Sequence, residues 1–274
     1  MITKQTQLCM SLAARPGNFG TLFHNYLYDQ LKLDYIYKAF TTSDLPAAIG
    51  GVRALGIRGC AISMPFKEAV IELVDELDQS AAAIESVNTI VNTDGHLTAY
   101  NTDYIAVANL LQDYAIDPAT PFLLKGSGGM AKAVAGALYD QGFKRGTIIA
   151  RNVVKGKALA DLYGYEWMDD EEIIASTEGM MLINVTPLGM QGGKEADALA
   201  FSPIHIETAE TIFDVVALPV ETPMIQLART LNKTIISGAD VAVIQALEQF
   251  VLYTGVRPSI DLIKEASSFA RSHA

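Results

Sequence analysis

A short apolar run that breaks into glycines and continues as an alanine-rich helix constrains this chain most. The run is Pro121–Lys125, and the residues after it, Gly126-Ser-Gly128-Gly-Met-Ala131, fit the pattern Gly-x-Gly-x-x-Gly/Ala. Its first glycine allows a tight turn, its second lets the backbone approach a pyrophosphate, and its small last residue lets helix and strand pack closely. Phosphates then bind the N–H groups at the start of the helix. The segment predicts a dinucleotide-binding unit, with a plain strand-to-helix turn as the alternative.

The next apolar run indicates which dinucleotide is bound. Residues 142–150 have the pattern of a strand, and Arg151 follows them. An acid at this place hydrogen-bonds the ribose 2′-hydroxyl of NAD, whereas an arginine accommodates the 2′-phosphate of NADP. Lys155 lies one helical turn further on. We therefore expect NADP rather than NAD; the alternative is that both cations only face solvent.

Length and charge limit the class of partner. The chain has 274 residues, half of them hydrophobic, which is enough for two domains with a core each. A net charge of −11, with no run of lysine and arginine, argues against nucleic acid or an anionic membrane as the partner. We expect a small-molecule substrate, and a monomer or homodimer.

Cysteine usage and the N-terminus bear on the compartment. Cys9 and Cys60 are the only cysteines and belong to no Cys-x-x-Cys or Cys/His cluster, so neither a disulfide nor a metal site is expected. The apolar stretch Leu8–Ala14 is too short for a secretory segment, and no later run is long enough to span a bilayer. These features predict buried free thiols and a cytoplasmic protein.

Strand and helix patterns alternate along the chain, which is typical of an open α/β sheet. We predict a two-domain α/β fold: an N-terminal substrate-binding domain at residues 1–104 and a Rossmann-like NADP-binding domain at residues 105–238, followed by two amphipathic helices within 239–274. A hairpin is expected around Asp94-Gly95. The other elements predicted in the first domain are strands at Gln7–Leu12, Tyr35–Phe40 and Gly59–Met64 and helices at Thr21–Leu31, Leu45–Leu55 and Phe66–Leu77.

Lys67 is the first candidate for chemistry. Pro65 suits the first turn of a helix, which places Lys67 at a predicted helix N-terminus. The helix dipole opposes a cation there by about 0.3–1 kcal/mol, and such conflicts are typical of functional sites. The alternative is an exposed lysine that solvent screens.

Asp103 is the second candidate. It ends the sequence Tyr100-Asn-Thr-Asp103, and because all three polar types are common N-caps, a capping role is the alternative. A carboxylate after a strand in an open sheet also faces the crevice where ligands bind. With Lys67 it would form an acid–base couple that moves a hydroxyl proton while a nicotinamide takes a hydride.

Signatures of other enzyme classes are absent. The sequence has no Gly-x-Ser-x-Gly elbow and no His-Glu-x-x-His motif, so acyl transfer and zinc hydrolysis have no support. His24 and His205 stand alone and are interpreted as structural.

Taken in order, these segments resemble the shikimate dehydrogenase family. The resemblance implies a two-domain α/β enzyme whose C-terminal helices complete the N-terminal domain, with NADP in the second domain and reversible reduction of 3-dehydroshikimate to shikimate. The segments that carry it are Ser63-Met-Pro-Phe-Lys67-Glu, Glu85-Ser-Val-Asn88-Thr, Tyr100-Asn-Thr-Asp103, Gly126-Ser-Gly-Gly-Met-Ala131, Ala150-Arg-Asn152, Asn184-Val-Thr-Pro-Leu-Gly-Met190 and Ser237-Gly238 to Gln245.

The resemblance also implies roles for individual residues. Lys67 and Asp103 would be the catalytic couple, and the ring hydroxyl groups would be held by Ser63, Asn88 and Gln245. The residues implied to hold the cofactor are Gly126, Ser127, Gly128, Gly129, Met130, Ala131, Arg151, Asn152 and Lys155, with Val215 and Gly238 near the nicotinamide.

The chain departs from the family where the substrate carboxylate binds. In place of Ser-x-Ser-Pro it has Asn18-Phe-Gly20-Thr21, and Gly20 has no side-chain donor. Hydrogen bonds to a charged group contribute about 1.5–3 kcal/mol each, so the loss of one or two weakens shikimate binding by roughly tenfold to ten-thousandfold. Asn18 or Arg15 is the expected replacement.

Further departures widen the choice of substrate. Ala217 stands where the family has a pocket tyrosine, and Asp240 replaces a glycine of the nicotinamide loop. We expect the hydride chemistry to be kept and shikimate to be a weak substrate; quinate or another related cyclic polyol is one alternative, and a non-catalytic NADP-binding or sensing protein is the other. Lys125, where the first nucleotide strand normally stays apolar, has no explanation in the sequence.

Overall fold

The computed structural model describes residues 2–170 and 177–273. They divide into two compact units, one made of Met1–Thr102 with Val243–Ala274 and the other of Asp103–Ala242. The described residues form two six-stranded sheets with helices packed on them, so the predicted two-sheet α/β fold class is confirmed. No helix in these two ranges is long and apolar enough to cross a membrane.

The first unit contains a mixed sheet with the strand order β2-β1-β3-β5-β6-β4. The first three strands along the chain run parallel, and the hairpin of β5 and β6 adds antiparallel pairs beside β3. The hairpin predicted around Asp94-Gly95 is confirmed. The strands are β1 (Gln7–Leu12), β2 (Tyr35–Phe40), β3 (Gly59–Ile62), β4 (Glu76–Leu77), β5 (Thr89–Thr93) and β6 (His96–Tyr100).

Helices cover both faces of this sheet. One core lies around Leu12, Val52 and Ile90, and the other around Phe23 and Phe250. The second core is closed by the C-terminal helices, whose residues pack on α1 and on the sheet. Cys9 and Cys60 are free and buried, as predicted. The helices of this unit are α1 (Phe19–Gln30), α2 (Leu45–Ala54), α3 (Gln79–Ala82), most of α9 (Gly238–Thr254) and α10 (Ile260–His273).

The second unit has a parallel sheet with the order β12-β11-β10-β7-β8-β9. Its central strands β7 and β10 are buried along their whole length, as expected of a sheet covered on both faces. The strands are β7 (Phe122–Lys125), β8 (Gly146–Ile149), β9 (Glu166–Met168), β10 (Met181–Asn184), β11 (Thr211–Asp214) and β12 (Thr234–Ser237). The helices are α4 (Thr102–Asp113), α5 (Gly129–Asp140), α6 (Val153–Tyr163), α7 (Pro203–Thr208) and α8 (Pro223–Thr230).

The helix predicted over Phe66–Leu77 is wrong. The segment after Ile62 forms successive turns, a short 3₁₀ helix at Ile71–Leu73 and the strand β4. The N–H groups of Asp75 and Asp78 donate to carbonyls of β6, at 3.0 and 2.8 Å. These bonds to a neighbouring strand replace the helical bonds that the local pattern favours. Lys67 therefore lies in a turn rather than at a helix N-terminus, and the dipole argument for it does not hold.

Candidate functional site

The glycine-rich turn after β7 has the geometry that its sequence pattern requires. Gly126 has φ +130°, and a Cβ built on it would lie 2.7 Å from Cγ2 of Val185. Glycine is thus needed here both for its backbone conformation and for the close approach of β10's end. Ala131 is fully buried against the sheet, as the small last residue of the pattern predicts.

Gly128 leaves the start of α5 open. It is the N-cap residue of the helix, has no side chain to cap it, and a Cβ built on it would meet nothing within 4 Å. The helix's own N–H···O bonds begin with Lys132, which donates to the Gly128 carbonyl at 3.1 Å. Gly129, Met130 and Ala131 therefore belong to the turn whose N–H groups have no intrahelical acceptor. Such a turn is suited to phosphate oxygens.

An open pocket of about 340 Å³ lies against this turn, within the second unit. Arg151 and Asn152 lie on its wall at the end of β8, and both are exposed. The remaining lining residues are Lys125, Gly126, Ser127, Gly128, Ile149, Ala150, Asp170, Val185, Thr186, Pro187, Leu188 and Glu195. The predicted glycine turn and the predicted arginine are thus brought to one pocket.

Asn152 and Lys155, which are both predicted to hold the cofactor, differ in their positions relative to the pocket. The side-chain oxygen of Asn152 accepts from the backbone N–H of Lys155 at 3.0 Å, so Asn152 caps α6. Lys155 is exposed in the first turn of that helix and is not among the residues that line the pocket. Arg151 is consequently the better placed of the two cations for a ligand in this pocket.

Gly238 and Val215 lie side by side. A Cβ built on Gly238 would lie 2.4 Å from the backbone carbonyl of Val215, so any side chain would separate the two segments. Beside them, the Ser237 hydroxyl donates to the Asp240 carboxylate at 2.7 Å, and the Asp240 N–H donates back to the Ser237 oxygen at 3.3 Å. Asp240 is therefore held in the first turn of α9.

A buried carboxylate, which the sequence did not single out, orders the neighbouring strand ends. Asp214 is fully buried and accepts from the Thr222 hydroxyl at 2.6 Å and from the Asn184 amide at 3.0 Å. Desolvation raises the pKa of its carboxyl, and the hydrogen bonds from Thr222, Val216 and Asn184 oppose that rise. Asn184 thus acts within the second unit by fixing the ends of β10 and β11.

Asn88 is the centre of a buried polar group in the first unit. Its side-chain oxygen accepts from the Thr102 N–H at 2.8 Å and from the Thr89 hydroxyl at 2.8 Å. Gln249 donates to the Thr89 hydroxyl oxygen at 3.1 Å. Since donors surround the oxygen, the amide orientation is fixed, and Nδ2 has no hydrogen-bond partner among the described residues. A buried donor without an acceptor costs about 1–3 kcal/mol and often marks a place where a ligand or water oxygen binds.

Backbone hydrogen bonds bring Ser63, Lys67 and Asn88 to one end of the first sheet. The Ile62 N–H donates to the Asn88 carbonyl at 2.7 Å, and the Val87 N–H donates to the Lys67 carbonyl at 2.9 Å. Ser63 follows β3 directly and is exposed, whereas Lys67 is half-buried.

The other predicted residues are placed as follows. Asp103 is buried in the first turn of α4, and Gln245 is half-buried on α9, one turn before Gln249. Asn18 is exposed at the N-cap of α1, but its side chain does not cap the helix. The hydroxyl of Thr21 is buried without a hydrogen-bond partner among the described residues.

Sequence reasoning missed several residues of these two sites. Gln249 could have been found, because it lies four residues after Gln245 and so on the same face of a helix. Asp170 and Glu195 on the pocket wall carry no local signal, because each reaches the pocket from a distant part of the chain. Residues 2–170 and 177–273 contain no group of three or more His, Cys, Asp or Glu side chains that could hold a metal ion.

Known proteins are similar to this chain in both sequence and fold. Residues 19–90 match the family model described as the shikimate dehydrogenase substrate binding domain. A shikimate dehydrogenase-like protein of Haemophilus influenzae is 57% identical over 272 residues, covering 99% of each chain. The chain belongs to the shikimate dehydrogenase family. The family resemblance of the sequence motifs is thereby confirmed.

Solved structures of the shikimate dehydrogenase family have the same fold. A shikimate 5-dehydrogenase-like protein superposes with a TM-score of 0.94 at 57% identity, over 99% of this chain and 100% of that one. The shikimate 5-dehydrogenase of Thermus thermophilus, in complex with NADP(H) and shikimate, has a TM-score of 0.85 at 26% identity, over 96% and 99% of the two chains.

Proposed function

We propose that this protein is an NADP-dependent dehydrogenase that interconverts a ketone and a secondary alcohol on a shikimate-like ring. The observation that carries the proposal is the buried Asn88 amide, whose oxygen is fixed by three donors and whose nitrogen has no partner among the described residues. A ring hydroxyl oxygen would supply the acceptor that this nitrogen lacks. The T. thermophilus relative in complex with NADP(H) and shikimate supports this choice of ligands.

The second unit fits the cofactor. Gly128 offers open backbone at the start of α5 for the pyrophosphate, and Arg151 offers a guanidinium on the same pocket for the 2′-phosphate. Ser127, Gly129, Met130 and Ala131 form the turn around it, and Val215 with Gly238 would face the nicotinamide. When bound, NADP supplies the hydride acceptor or donor for the ring carbon.

Lys67 and Asp103 are proposed as the acid–base couple. Oxidation of a secondary alcohol releases its hydroxyl proton, and a lysine or a carboxylate can take that proton if it reaches the hydroxyl. Ser63, Asn88 and Gln245 hold the other hydroxyl groups and so orient the reacting carbon. Three of these residues thus bind the substrate, and Lys67 and Asp103 move its proton.

The substrate carboxylate is the part of the ligand that this chain accommodates differently. Gly20 offers no donor, and Arg15, Asn18 and Thr21 are the nearby polar side chains that remain. The Asn18 side chain is exposed and is not used to cap α1, which leaves it able to bind a ligand. Exposed Ala217 removes the bulk of the family's tyrosine. We therefore propose weak turnover of shikimate, and better turnover of quinate or a related cyclic polyol as the alternative.

Initial rates test the proposal. NADP and NAD reduction are measured with shikimate and with quinate over a wide concentration range, for wild type, Lys67→Ala and the control Lys4→Ala at an exposed lysine of the same unit. The expected result is saturable, NADP-selective turnover whose kcat Lys67→Ala lowers by about 10²–10⁴ and Lys4→Ala leaves unchanged. Tight NADPH binding without turnover of either polyol would favour a binding or sensing role instead.

A further inference from the structure

Lys125 makes a contact that the sequence could not explain. It ends β7, only 11% of its side chain is exposed, and its Nζ lies 2.5 Å from Oδ1 of Asp170. The ammonium also lies 5.2 Å from the centre of the Phe201 ring. Lys125 and Asp170 both line the pocket that contains the Gly126–Gly128 turn. An ion pair therefore forms part of the wall of the nucleotide pocket.

Stability alone does not account for this pair. The rest of β7 is apolar and buried, and replacing a buried ion pair by hydrophobic residues of similar volume is often neutral or stabilising. A charge that breaks the apolar pattern of a central strand is typical of a functional position. Asp170 keeps 31% of its side chain exposed, so a ligand in the pocket can reach the carboxylate.

The order of the strands indicates which part of a dinucleotide would reach Asp170. β7, β8 and β9 are neighbours, and their carboxyl ends carry the glycine turn, Arg151 and Asp170 in that order. If the glycine turn holds the pyrophosphate and Arg151 the ribose phosphate, the next group outward is the base. The 6-amino group of adenine is a hydrogen-bond donor, and a carboxylate is an acceptor.

We propose that Asp170 recognises the adenine base by accepting a hydrogen bond from its 6-amino group, and that Lys125 is a positioning residue that holds the Asp170 carboxylate. This inference rests on the proposed NADP site and adds the residue that selects the base. It explains why a lysine ends a strand that is otherwise apolar.

The test compares NADP with its hypoxanthine analogue, in which a carbonyl oxygen replaces the 6-amino group. Dissociation constants of both are measured by titration calorimetry for wild type, Asp170→Asn and the control Asp161→Asn, which removes an exposed charge of α6 away from the pocket lining. We expect wild type and Asp161→Asn to bind NADP roughly tenfold or more tightly than the analogue, the factor expected for one hydrogen bond to a charged group. Asp170→Asn should bring the two constants within about threefold, because an amide can also donate to the carbonyl.

NAD is the third probe. The ratio of NADP to NAD affinity should stay the same in Asp170→Asn, because the base is common to both. Tighter binding of NADP but not of NAD by this variant would overturn the inference and place Asp170 beside the 2′-phosphate. Equal affinity of wild type for NADP and the hypoxanthine analogue would overturn the base assignment while leaving the NADP site intact. Failure of wild type to bind any of the three would instead contradict the proposed NADP site.

Lys125→Met tests the positioning role and replaces Asp170→Asn if that variant does not fold. Methionine keeps an unbranched side chain that is one atom shorter, and it cannot pair with Asp170. We expect base discrimination to fall while the fold is kept, because the Asp170 side chain is 31% exposed and water can solvate the unpaired carboxylate. Unchanged discrimination, or equal weakening of NADP and the analogue with a lower melting temperature, would show that Lys125 is only structural.

Discussion

The side-chain oxygen of Asn88 accepts a hydrogen bond from the backbone N–H of Thr102 at 2.8 Å. Asn88 immediately precedes β5 and Thr102 follows β6 by two residues, so this bond joins the two chain segments at the open end of the hairpin within the first unit. The same side chain is proposed to bind a ring hydroxyl through its nitrogen. One amide thus serves the fold through one atom and the ligand through the other.

Two substitutions of Asn88 separate these roles. Asn88→Asp keeps an acceptor for the Thr102 N–H but replaces the Nδ2 donor by a carboxylate oxygen, so we expect the KM for the best polyol substrate to rise about tenfold. Because the new charge is buried, some stability should also be lost. Asn88→Ala removes the acceptor too and should lower the free energy of unfolding by about 1–3 kcal/mol. Urea denaturation and initial rates measure the two effects. An unchanged KM in Asn88→Asp would rule out the ligand role.

Lys67→Ala and Asp103→Asn should each lower kcat by about 10²–10⁴, the usual contribution of an acid–base group. The dissociation constant of NADP should hardly change, because both residues act on the substrate hydroxyl. Steady-state kinetics and NADPH fluorescence titration provide the two readouts, with Lys4→Ala as the control. Equal loss of cofactor binding would mean that the substitutions disturb the fold.

Arg151→Ala should raise the dissociation constant of NADP roughly tenfold or more and leave that of NAD almost unchanged. Lys155→Ala should have a smaller effect, since Lys155 is not among the residues lining the pocket. Titration of both variants with NADP and with NAD shows which of the two cations binds the 2′-phosphate. A larger effect of Lys155→Ala would mean that Lys155 is the main partner of the 2′-phosphate.

Alanine in place of Gly128 should impair NADP binding, whereas alanine in place of Gly126 should impair the stability of the fold. Gly128→Ala has room for the new methyl group, so the fold should keep its melting temperature while NADP binding is lost to the obstructed backbone. Gly126→Ala meets both φ +130° and a contact of 2.7 Å with Val185, and should destabilise the second unit by more than about 1 kcal/mol. Thermal denaturation with and without NADP measures both. NADP binding of wild-type strength by Gly128→Ala would argue against a phosphate site at this turn.

His24 should make the fold sensitive to acid. It is fully buried, and desolvation lowers its pKa from 6.5 to about 3 although a hydrogen bond with Gln249 opposes the shift. Because the unfolded chain takes up this proton more readily, the stability contributed by neutral His24 is present above about pH 6.5 and lost as the pH falls.

His24→Phe keeps the ring that stacks on Tyr37 and removes the titration. At pH 4 the variant should retain roughly 3 kcal/mol of unfolding free energy that wild type has lost relative to pH 7. Urea denaturation at pH 7, 5.5 and 4 measures the difference, with His273→Gln as the exposed control. Parallel pH curves for wild type and His24→Phe would contradict the assignment.

Local pattern predicted much of the fold. The bounds of β1 and β2 agree with the strands predicted at Gln7–Leu12 and Tyr35–Phe40, because apolar and β-branched runs between turn residues identify strands well. The helix predicted over Phe66–Leu77 failed for a non-local reason, since its backbone bonds go to a strand about twenty residues later.

The site residues also divide into those that the local sequence marks and those that depend on distant parts of the chain. The position of the glycine turn and Arg151 on one pocket could be predicted, because each is marked by its place relative to a strand, and their roles toward a cofactor stay predictions. Lys125 could be noticed but not explained, because its partner Asp170 belongs to another part of the chain. The roles of Lys67 and Asp103 stay predictions, since they depend on a bound substrate.

The core of the first unit contains Phe23 and Leu27 from near the start of the chain and Phe250, Tyr253 and Ala266 from near its end. Gly59 lies so close to Tyr253 that a Cβ on it would be 2.3 Å from the ring, so these two segments must meet for β3 to pack. During synthesis, the ribosome therefore releases the whole of the continuous second unit before the first unit can close. Nascent chains should bury the second unit's sheet first, and the early strands must stay unaggregated until the last two helices emerge.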